Sequence, residues 1–457
     1  MPGARQGNRR KDRDTFDKPQ QRTRQPTKQD KDKPTERTTL NKQTPQKEEL
    51  DSGPIDLSTT IPISLQQLLL DVFKTALLTT PADPNGEAES TPAPLDTKAL
   101  VQTIKSHLYQ RDFDSAFAEA GEELLRAYAL RWSAARALGY AGIFKAVLEW
   151  MRAEEGEGPS SNRVMDRNGT RVVCLGGGAG AEIVALAAAW RDLGGHEARD
   201  AIATLEEGVK GVNLDGKVKE KEDDGSEVSV AGQGDAENEH TRCASPKPKL
   251  SIAAVDIADW SIVVERLSKT IASSDVPTQK SSRFQPPLLS GSRGEPGLDI
   301  SFSRTDVLGL PESDLQNLIL GNKQTTPTPS TTPSLLVTLM FTLNELFTTS
   351  MPKTTALLLH TTELLPPGAV LLVVDSPGSY STLKLGKAKD GAAQERQYPM
   401  KFLLDHTLLS VAKGKWERIL TQDSRWWRRE AARLNYEVGE GAGLEDMRYQ
   451  VHVYRRV

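Results

Sequence analysis

The chain has 457 residues, 37% of them hydrophobic, with 35 glycines, so an ordinary core interrupted by solvated segments is expected. Its formal charge of −4 is uneven: residues 1–50 hold 14 Lys/Arg against 8 Asp/Glu, a local +6 that leaves −10 for the rest. Two cysteines, Cys174 and Cys243, exclude a disulfide framework and a cysteine-built zinc site, no apolar run is long enough for a membrane span, and MPGARQGNRRKDRD lacks a secretory apolar segment, so a soluble intracellular protein is expected.

Residues 1–55 are Lys, Arg, Gln, Thr, Asp and Pro with few large apolar side chains. Such a stretch buries too little surface to offset its ordering entropy and is expected to be a disordered basic arm. It reads equally as an electrostatic arm or import signal and as a solubilising tail. Residues 56–155 are expected to form a helical N-terminal extension. Leu65, Leu68, Leu69, Val72, Phe73, Ala76 and Leu77 recur at helical steps, with Ser64 as a candidate cap, and 81–94 is a linker. A second helical block, about Asp96 to Met151, breaks near Asp112–Asp114 and carries Arg131, Trp132, Arg136 and Tyr140. The aromatics fit a core with snorkelling arginines, or the arginines meet RNA phosphates.

From residue 165 to 457 the pattern is that of an α/β domain. Apolar runs at 171–178, 251–260, 298–310, 334–347 and 369–381 are each followed by helical or turn sequence, and 181–193 is a helix of small residues. Five such runs predict a mostly parallel sheet covered on both faces. The last segment, MRYQVHVYRRV (447–457), alternates with period two and predicts a terminal antiparallel strand. Segments near 207–249, 273–296, 321–333 and 386–397 are expected to be disordered insertions.

The strongest local motif is VVCLGGGAGAE (172–182), with Gly176, Gly178 and Gly180 between a strand and a helix. Backbone approaches a nucleotide-like ligand closely there, and the helix start offers unpaired N–H groups. The same stretch also reads as the G-x-G-x-x-A dinucleotide fingerprint. Asp256 ends the second strand, where a carboxylate accepts the hydroxyls of a ribose. Asp306 ends the third, placed for the exocyclic amine of an adenine, with the Val307 N–H beside it. The acid after strand three and an antiparallel last strand favour a class I, Rossmann-like methyltransferase sheet over a dehydrogenase.

RWSAARALGY (131–140), LGGGAGAE (175–182), VDIADW (255–260), FTLNELF (341–347), VVDSPGSYS (373–381), QDSRWWR (422–428) and LEDMRYQVHVYRR (444–456) occur in one order along about 100–457. Together they resemble the fungal 25S large-subunit rRNA (uridine-N3) methyltransferase family. The resemblance implies S-adenosyl-L-methionine as methyl donor and large-subunit rRNA, or a pre-ribosomal particle, as partner. A monomer in the nucleus, nucleolus or cytoplasm, with no metal and no membrane, is expected. Two departures from the general methyltransferase pattern stand out. Cys174 occupies the position that often carries an acid, and no Asn-Pro-Pro-Tyr tetrapeptide is present.

A uridine N3 must lose its proton to attack a methyl group, so a base and a positioning network are needed. Asn344, Glu345 and Asp375 flank the expected place of the methyl. In the catalytic reading Glu345 or Asp375 accepts the N3 proton, Asn344 reads the imide edge and Tyr380 stacks on the base. In the structural reading Glu345 and Asp375 cap or bridge their helices. RWWRR (425–429) pairs aromatic faces with guanidinium groups, as single-stranded RNA sites do, whereas Tyr449 and Tyr454 fit the last strand. His360 and His406 lack ligand partners at useful spacing and read as structural. Two alternatives stay open: an NAD(P)-dependent oxidoreductase, and a catalytically silent RNA-binding assembly factor, which Cys174 encourages.

Overall fold

Five apolar strands align in parallel: β1 (Thr170–Leu175), β2 (Leu250–Asp256), β3 (Leu298–Arg304), β4 (Ser334–Met340) and β5 (Val370–Asp375). The computed structural model describes residues 53–78, 95–110, 112–155, 169–194, 250–277, 286–289, 297–321, 333–387, 393–430 and 432–457. The expected linker 81–94 and insertion 207–249, and nearly all of the basic arm and of 321–333, lie outside these residues. The sheet runs β3-β2-β1-β4-β5-β9-β8, where β8 is Trp416–Trp427 and β9 is Met447–Arg456. As expected, the last strand is antiparallel, inserted between β5 and β8. This is the mostly parallel, Rossmann-like sheet the sequence predicts.

Strand residues alternate between two apolar clusters, as period-two side chains must. Val172, Cys174, Ile252, Ala254, Leu336 and Leu372 face one cluster. Val173, Leu175, Ala253, Val255, Leu335, Val337, Leu371 and Val373 face the other. β4 and β5 are buried at every position, whereas β3, at the sheet edge, is largely exposed.

The first cluster is built with helices α1 (Ile63–Leu77), α2 (Thr97–Gln110), α3 (Glu122–Tyr128), α4 (Ala134–Glu155), α5 (181–194) and α6 (Ser261–Ala272). A π-turn, Ala129–Ser133, joins α3 to α4. The second cluster takes in α7 (Glu312–Leu320), α8 (Leu343–Thr349), α9 (Met351–Leu364) and α10 (Met400–Asp405).

Several local expectations change. Pro62, not Ser64, occupies the N-cap of α1, because proline's fixed φ suits a helix entry and Ser64 already lies in the first turn. Ile55, assigned to the arm, is 3% exposed and joins the core. The expected insertion 386–397 instead overlaps a hairpin, β6 (Tyr380–Lys387) with β7 (Ala393–Pro399), whose strands pair from Tyr380↔Pro399 to Lys387↔Ala393. Its sequence lacks apolar alternation because the two strands satisfy each other through the backbone. Within 273–296, Val276 and Leu288 are fully buried, and Arg191 donates to the Pro287 carbonyl at 2.8 Å.

Candidate active site

The strand order reverses between β1 and β4, so a crevice opens beyond their carboxyl ends. The loop leaving β1 turns at Gly176 (φ +88°) and Gly180 (φ +84°), in the left-handed region that favours glycine. A Cβ on Gly176 would collide with Thr342, one on Gly178 with Trp260 and one on Gly180 with Leu267. The glycines therefore first make room for the protein itself, drawing the β2 and β4 loops onto the β1 turn. The Gly176 N–H donates to Val255 O at 2.8 Å.

Asp256 sits directly against this loop. Its carboxylate accepts from Gly178 N–H at 3.2 Å and from Ala258 N–H at 3.1 Å. Burial raises its pKa, against the lowering effect of the Ala258, Trp260, Gly178 and Ile257 donors. The Gly180 carbonyl accepts the first bond of α5, from Val184 at 3.2 Å. The amides of Ala181, Glu182 and Ile183 consequently have no partner within the helix.

Behind the loop lies a carboxyl that the sequence reading did not single out. Glu182, 3% exposed, accepts from the Thr338 hydroxyl at 2.6 Å. A Cβ on Gly177 would stand 2.7 Å from its Oε2 and 2.6 Å from Cys174 Cβ. Burial pushes the Glu182 carboxyl up to about 7, Thr338 pulls it down and Asp256 raises it further. Burial and Glu182 raise the Cys174 thiol as well. The acid absent from position 174 is thus replaced in space by one from the first turn of α5. The trace in the sequence is an acidic residue in the first turn of a helix whose next eight residues are all apolar.

Asp306 is exposed beyond β3, where one carboxylate oxygen accepts from Leu308 N–H at 2.9 Å, while Val307 is buried in the second cluster. Thr305 N–H donates to Asp256 O at 2.7 Å, tying the ends of β2 and β3 together.

At the end of β4, Phe341 adopts φ +59°, a rare conformation for an aromatic residue. Its N–H donates to Val374 O at 2.6 Å, and its ring stacks on Tyr140 with centroids 6.3 Å apart. The chain then turns into α8, and the Asn344 N–H donates to Asp375 at 3.1 Å. Asp375 is 4% exposed and also accepts from Ser376 N–H at 2.7 Å and the Ser379 hydroxyl at 3.3 Å. Burial raises its pKa and these donors oppose the rise. The Asn344 Oδ1 is buried without a hydrogen-bond partner among the described residues.

Glu345, in the first turn of α8, is exposed, yet it lies near enough to Asp375, Arg136 and Asp256 for their charges to act on it. Desolvation by the surrounding protein and the charge of Asp375 push its carboxyl up to about 7, against the pull of Arg136. Tyr380, 54% exposed, follows Ser379 at the start of β6.

The two arginines of the 131–140 block separate. Arg131 is structural: it donates to Gly441 O at 3.0 Å and pairs with Glu445. Arg136 reaches the crevice, with its guanidinium 5.1 Å above the Phe341 ring and one nitrogen donating to the Tyr128 hydroxyl at 3.1 Å. The RWWRR segment ends β8. Trp427 packs toward Gly139 of α4, while Trp426 is 45% exposed with Arg428 at 4.3 Å and Arg448 at 5.7 Å from its ring. His406 is exposed and stacks on Phe402. A cavity of about 290 Å³, lined by Thr60, Gln66, Lys145, Glu430 and Arg433 among others, shares no residue with the crevice.

A family model described as a putative SAM-dependent methyltransferase matches residues 84–455. A Saccharomyces cerevisiae (strain ATCC 204508 / S288c) protein named 25S rRNA (uridine(2843)-N(3))-methyltransferase is 30% identical over 409 residues, 88% of this chain and 87% of its own. Among solved structures, a SAM-dependent methyltransferase from Methanosarcina mazei is 9% identical, covering 63% of this chain and 92% of its own, with a TM-score of 0.27. An O-methyltransferase family protein from Burkholderia thailandensis is 10% identical, covering 85% and 82%, with a TM-score of 0.28. Superpositions this loose leave the fold assignment to the strand order itself. Nothing among these matches supports the oxidoreductase alternative, and S-adenosylmethionine is the cosubstrate of the matched family. Along most of its length, then, the chain belongs to the S-adenosylmethionine-dependent methyltransferase family in which that yeast enzyme is its relative.

Proposed function

We propose that this protein transfers a methyl group to N3 of a uridine in large-subunit rRNA. The acceptor follows from the relative named for that reaction. The structural observation that carries the chemistry is the meeting of the β4 and β5 ends, where the Asn344 N–H donates to the buried Asp375 and Glu345 follows in the first turn of α8. The charge of Asp375 and the surrounding protein raise the Glu345 carboxyl to about 7. A base matched to neutral pH is what an imide N–H requires.

The residues present fit the methyl donor. The amides of Ala181, Glu182 and Ile183 and the turn at Gly176, Gly178 and Gly180 would hold its amino-acid part. Asp256, in contact with that turn, would accept the ribose hydroxyls. Asp306, with one oxygen clear of the Leu308 N–H, and the Val307 N–H would meet the adenine edge. When bound, S-adenosylmethionine supplies a methyl carbon on a positive sulfur, an electrophile that needs only a lone pair held in line.

Glu345 would take the N3 proton, and the freed lone pair would form the N3–methyl bond as the donor's sulfur–methyl bond broke with its electron pair left on sulfur. Asp375, whose oxygens already accept three bonds, holds the start of α8 and the 376–379 turn in place. The unpartnered amide oxygen of Asn344 reads the acceptor edge, and the exposed Tyr380 stacks on the base. The rRNA is read free or within a pre-ribosomal particle by a monomer, in the nucleus, nucleolus or cytoplasm, with residues 165–457 as the catalytic domain and the basic arm, short of the buried Ile55, as an RNA contact. Trp426 with Arg428 and Arg448, at the carboxyl end of β8, lies at the crevice end of the sheet and offers a second contact. Among the described residues no helix is long and apolar enough to cross a membrane.

The test is transfer of tritium from methyl-labelled S-adenosylmethionine to transcribed large-subunit rRNA fragments, followed by nucleoside analysis. Labelled 3-methyluridine is expected. No transfer, or label on another atom, overturns the reading.

A further inference from the structure

Several arginines here hold backbone carbonyls of the protein, although one nitrogen of Arg131 stays buried without a hydrogen-bond partner among the described residues. Arg126 donates to Leu77 O, Arg131 to Gly441 O and Glu445, and Arg171 to Leu318 O and Ile319 O. Arg136 differs. It is half-buried on α4, gives one bond to the Tyr128 hydroxyl, and stands over the Phe341 ring. None of the described carboxylates is in ion-pair contact with it. Its charge nevertheless acts on Glu345 and Asp375, lowering both.

A guanidinium carries five N–H donors, and those that Arg136 does not spend on Tyr128 are not sealed inside the protein, so they are open to a ligand. Phe341 points the same way. Its backbone strain at φ +59° holds an aromatic face under Arg136, and such strain persists where the surroundings enforce it for a purpose. The groups facing the guanidinium are Tyr128 from α3, Tyr140 from its own helix, Glu345 from α8 and Asp375 from β5. It therefore overlooks the place where Glu345 removes a proton.

We propose that Arg136 is a catalytic residue that donates to a uracil carbonyl oxygen next to N3 and holds the negative charge appearing on the imide as N3 loses its proton. This rests on the uridine-N3 reading above. When the proton passes from N3 to Glu345, the charge left behind spreads onto O2 and O4. A fixed cation at either oxygen lowers the barrier because the charge exists there only during reaction. Glu345 supplies the base and Arg136 the electrostatic counterpart, and methyl transfer to N3 discharges the imide.

The competing use of an unpaired arginine is to bind the carboxylate of the methyl donor, and one experiment separates the two. Arg136→Gln and Arg136→Lys are compared with wild type for S-adenosylmethionine Kd by calorimetry, and for kcat on rRNA fragments carrying uridine or 5-fluorouridine at the target. Fluorine withdraws electrons and makes N3 more acidic, so it supplies part of what the cation supplied. For Arg136→Gln, an unchanged Kd and a kcat loss on the order of 100-fold are expected. That loss should shrink with 5-fluorouridine, and Arg136→Lys should lie between Gln and wild type. Should the Gln variant fail to fold, the Lys variant carries the same comparison, because its kcat loss must also shrink with the fluorinated base. A weakened Kd with normal kcat at saturating donor, or a kcat loss indifferent to fluorination, overturns the proposal. Wild-type product identity independently tests the uridine-N3 reading, since a product other than 3-methyluridine condemns that reading whatever the variants do.

Discussion

Glu345 and Asp375 are both carboxyls at the ends of the central strands, and their surroundings divide the labour between them. Asp375 is enclosed and accepts three hydrogen bonds, whereas Glu345 is exposed with a pKa near 7. A base must be ionised to act, so kcat/KM should rise tenfold per pH unit below about 7 and level off above it. Glu345→Gln should lower the rate on the order of 100- to 10,000-fold and abolish that acid limb. A pH–rate profile of both proteins checks this, and a limb retained in the Gln variant would move the base elsewhere. Asn344, Glu345 and Asp375 were legible in the sequence because each follows an apolar run by a few residues. Glu182 and Phe341 were not, and Arg136 was legible only as one of two arginines among aromatics, with nothing to tell it from Arg131. Glu182 matters through Cys174 and Thr338, which reach it from other strands, and Arg136 through Phe341, some two hundred residues away along the chain.

Among the elements, α4 carries the most demanding fit. Gly142 lies where a Cβ would stand 2.7 Å from the Thr59 carbonyl oxygen, a backbone atom that does not rotate away. Alanine improves helix propensity by about 1 kcal/mol over glycine, but overpacking costs about 1–3 kcal/mol. Gly142→Ala should therefore give a net loss and a lower midpoint in urea. Gly194→Ala, with open space around its Cβ, should be neutral or slightly stabilising, and equal midpoints for the two variants would refute the packing argument. The contrast between β4 and the β6–β7 hairpin has the same origin. β4 is buried on both faces and announces itself as a continuous apolar run, whereas the hairpin's strands satisfy their backbone groups on each other. β8 likewise reads as charged and polar because only its contact with β9 makes it a strand.

For the whole molecule, two buried groups couple stability to pH with opposite signs. Glu182 has a folded pKa of about 7 against an ordinary 4.5. The native state therefore binds the extra proton, and its contribution is full below about 4.5 and lost as pH rises through about 7. His452 is fully buried between Thr421 (Nδ1, 2.7 Å) and Gln450 (Nε2, 3.1 Å). Burial, with Lys401 adding to it, lowers its pKa to about 4 from 6.5. Its contribution is present above 6.5 and lost as pH falls through about 4. Between these limits the two slopes oppose each other in the wild type. Glu345, also raised to about 7, slopes the same way as Glu182, so Glu182→Gln is read by its difference from wild type. Relative to wild type it should gain on the order of 3 kcal/mol between pH 4.5 and 7.5. Urea titrations across that range measure it, and a constant difference between the two proteins would show that Glu182 does not titrate there.

Local pattern alone determined five apolar runs, a terminal alternating strand, a glycine turn between strand and helix, and an acid beyond each of several strand ends. These features are written in neighbouring residues, because burial on two faces and left-handed backbone leave their mark within a few positions. The order β3-β2-β1-β4-β5-β9-β8, the hairpin at 380–399, the carboxyl that stands in for Cys174 and the half-buried charge of Arg136 were decided only by tertiary structure. Each depends on which distant segments meet. The desolvation and the neighbouring charges that set a side chain's chemistry exist only once those segments have packed.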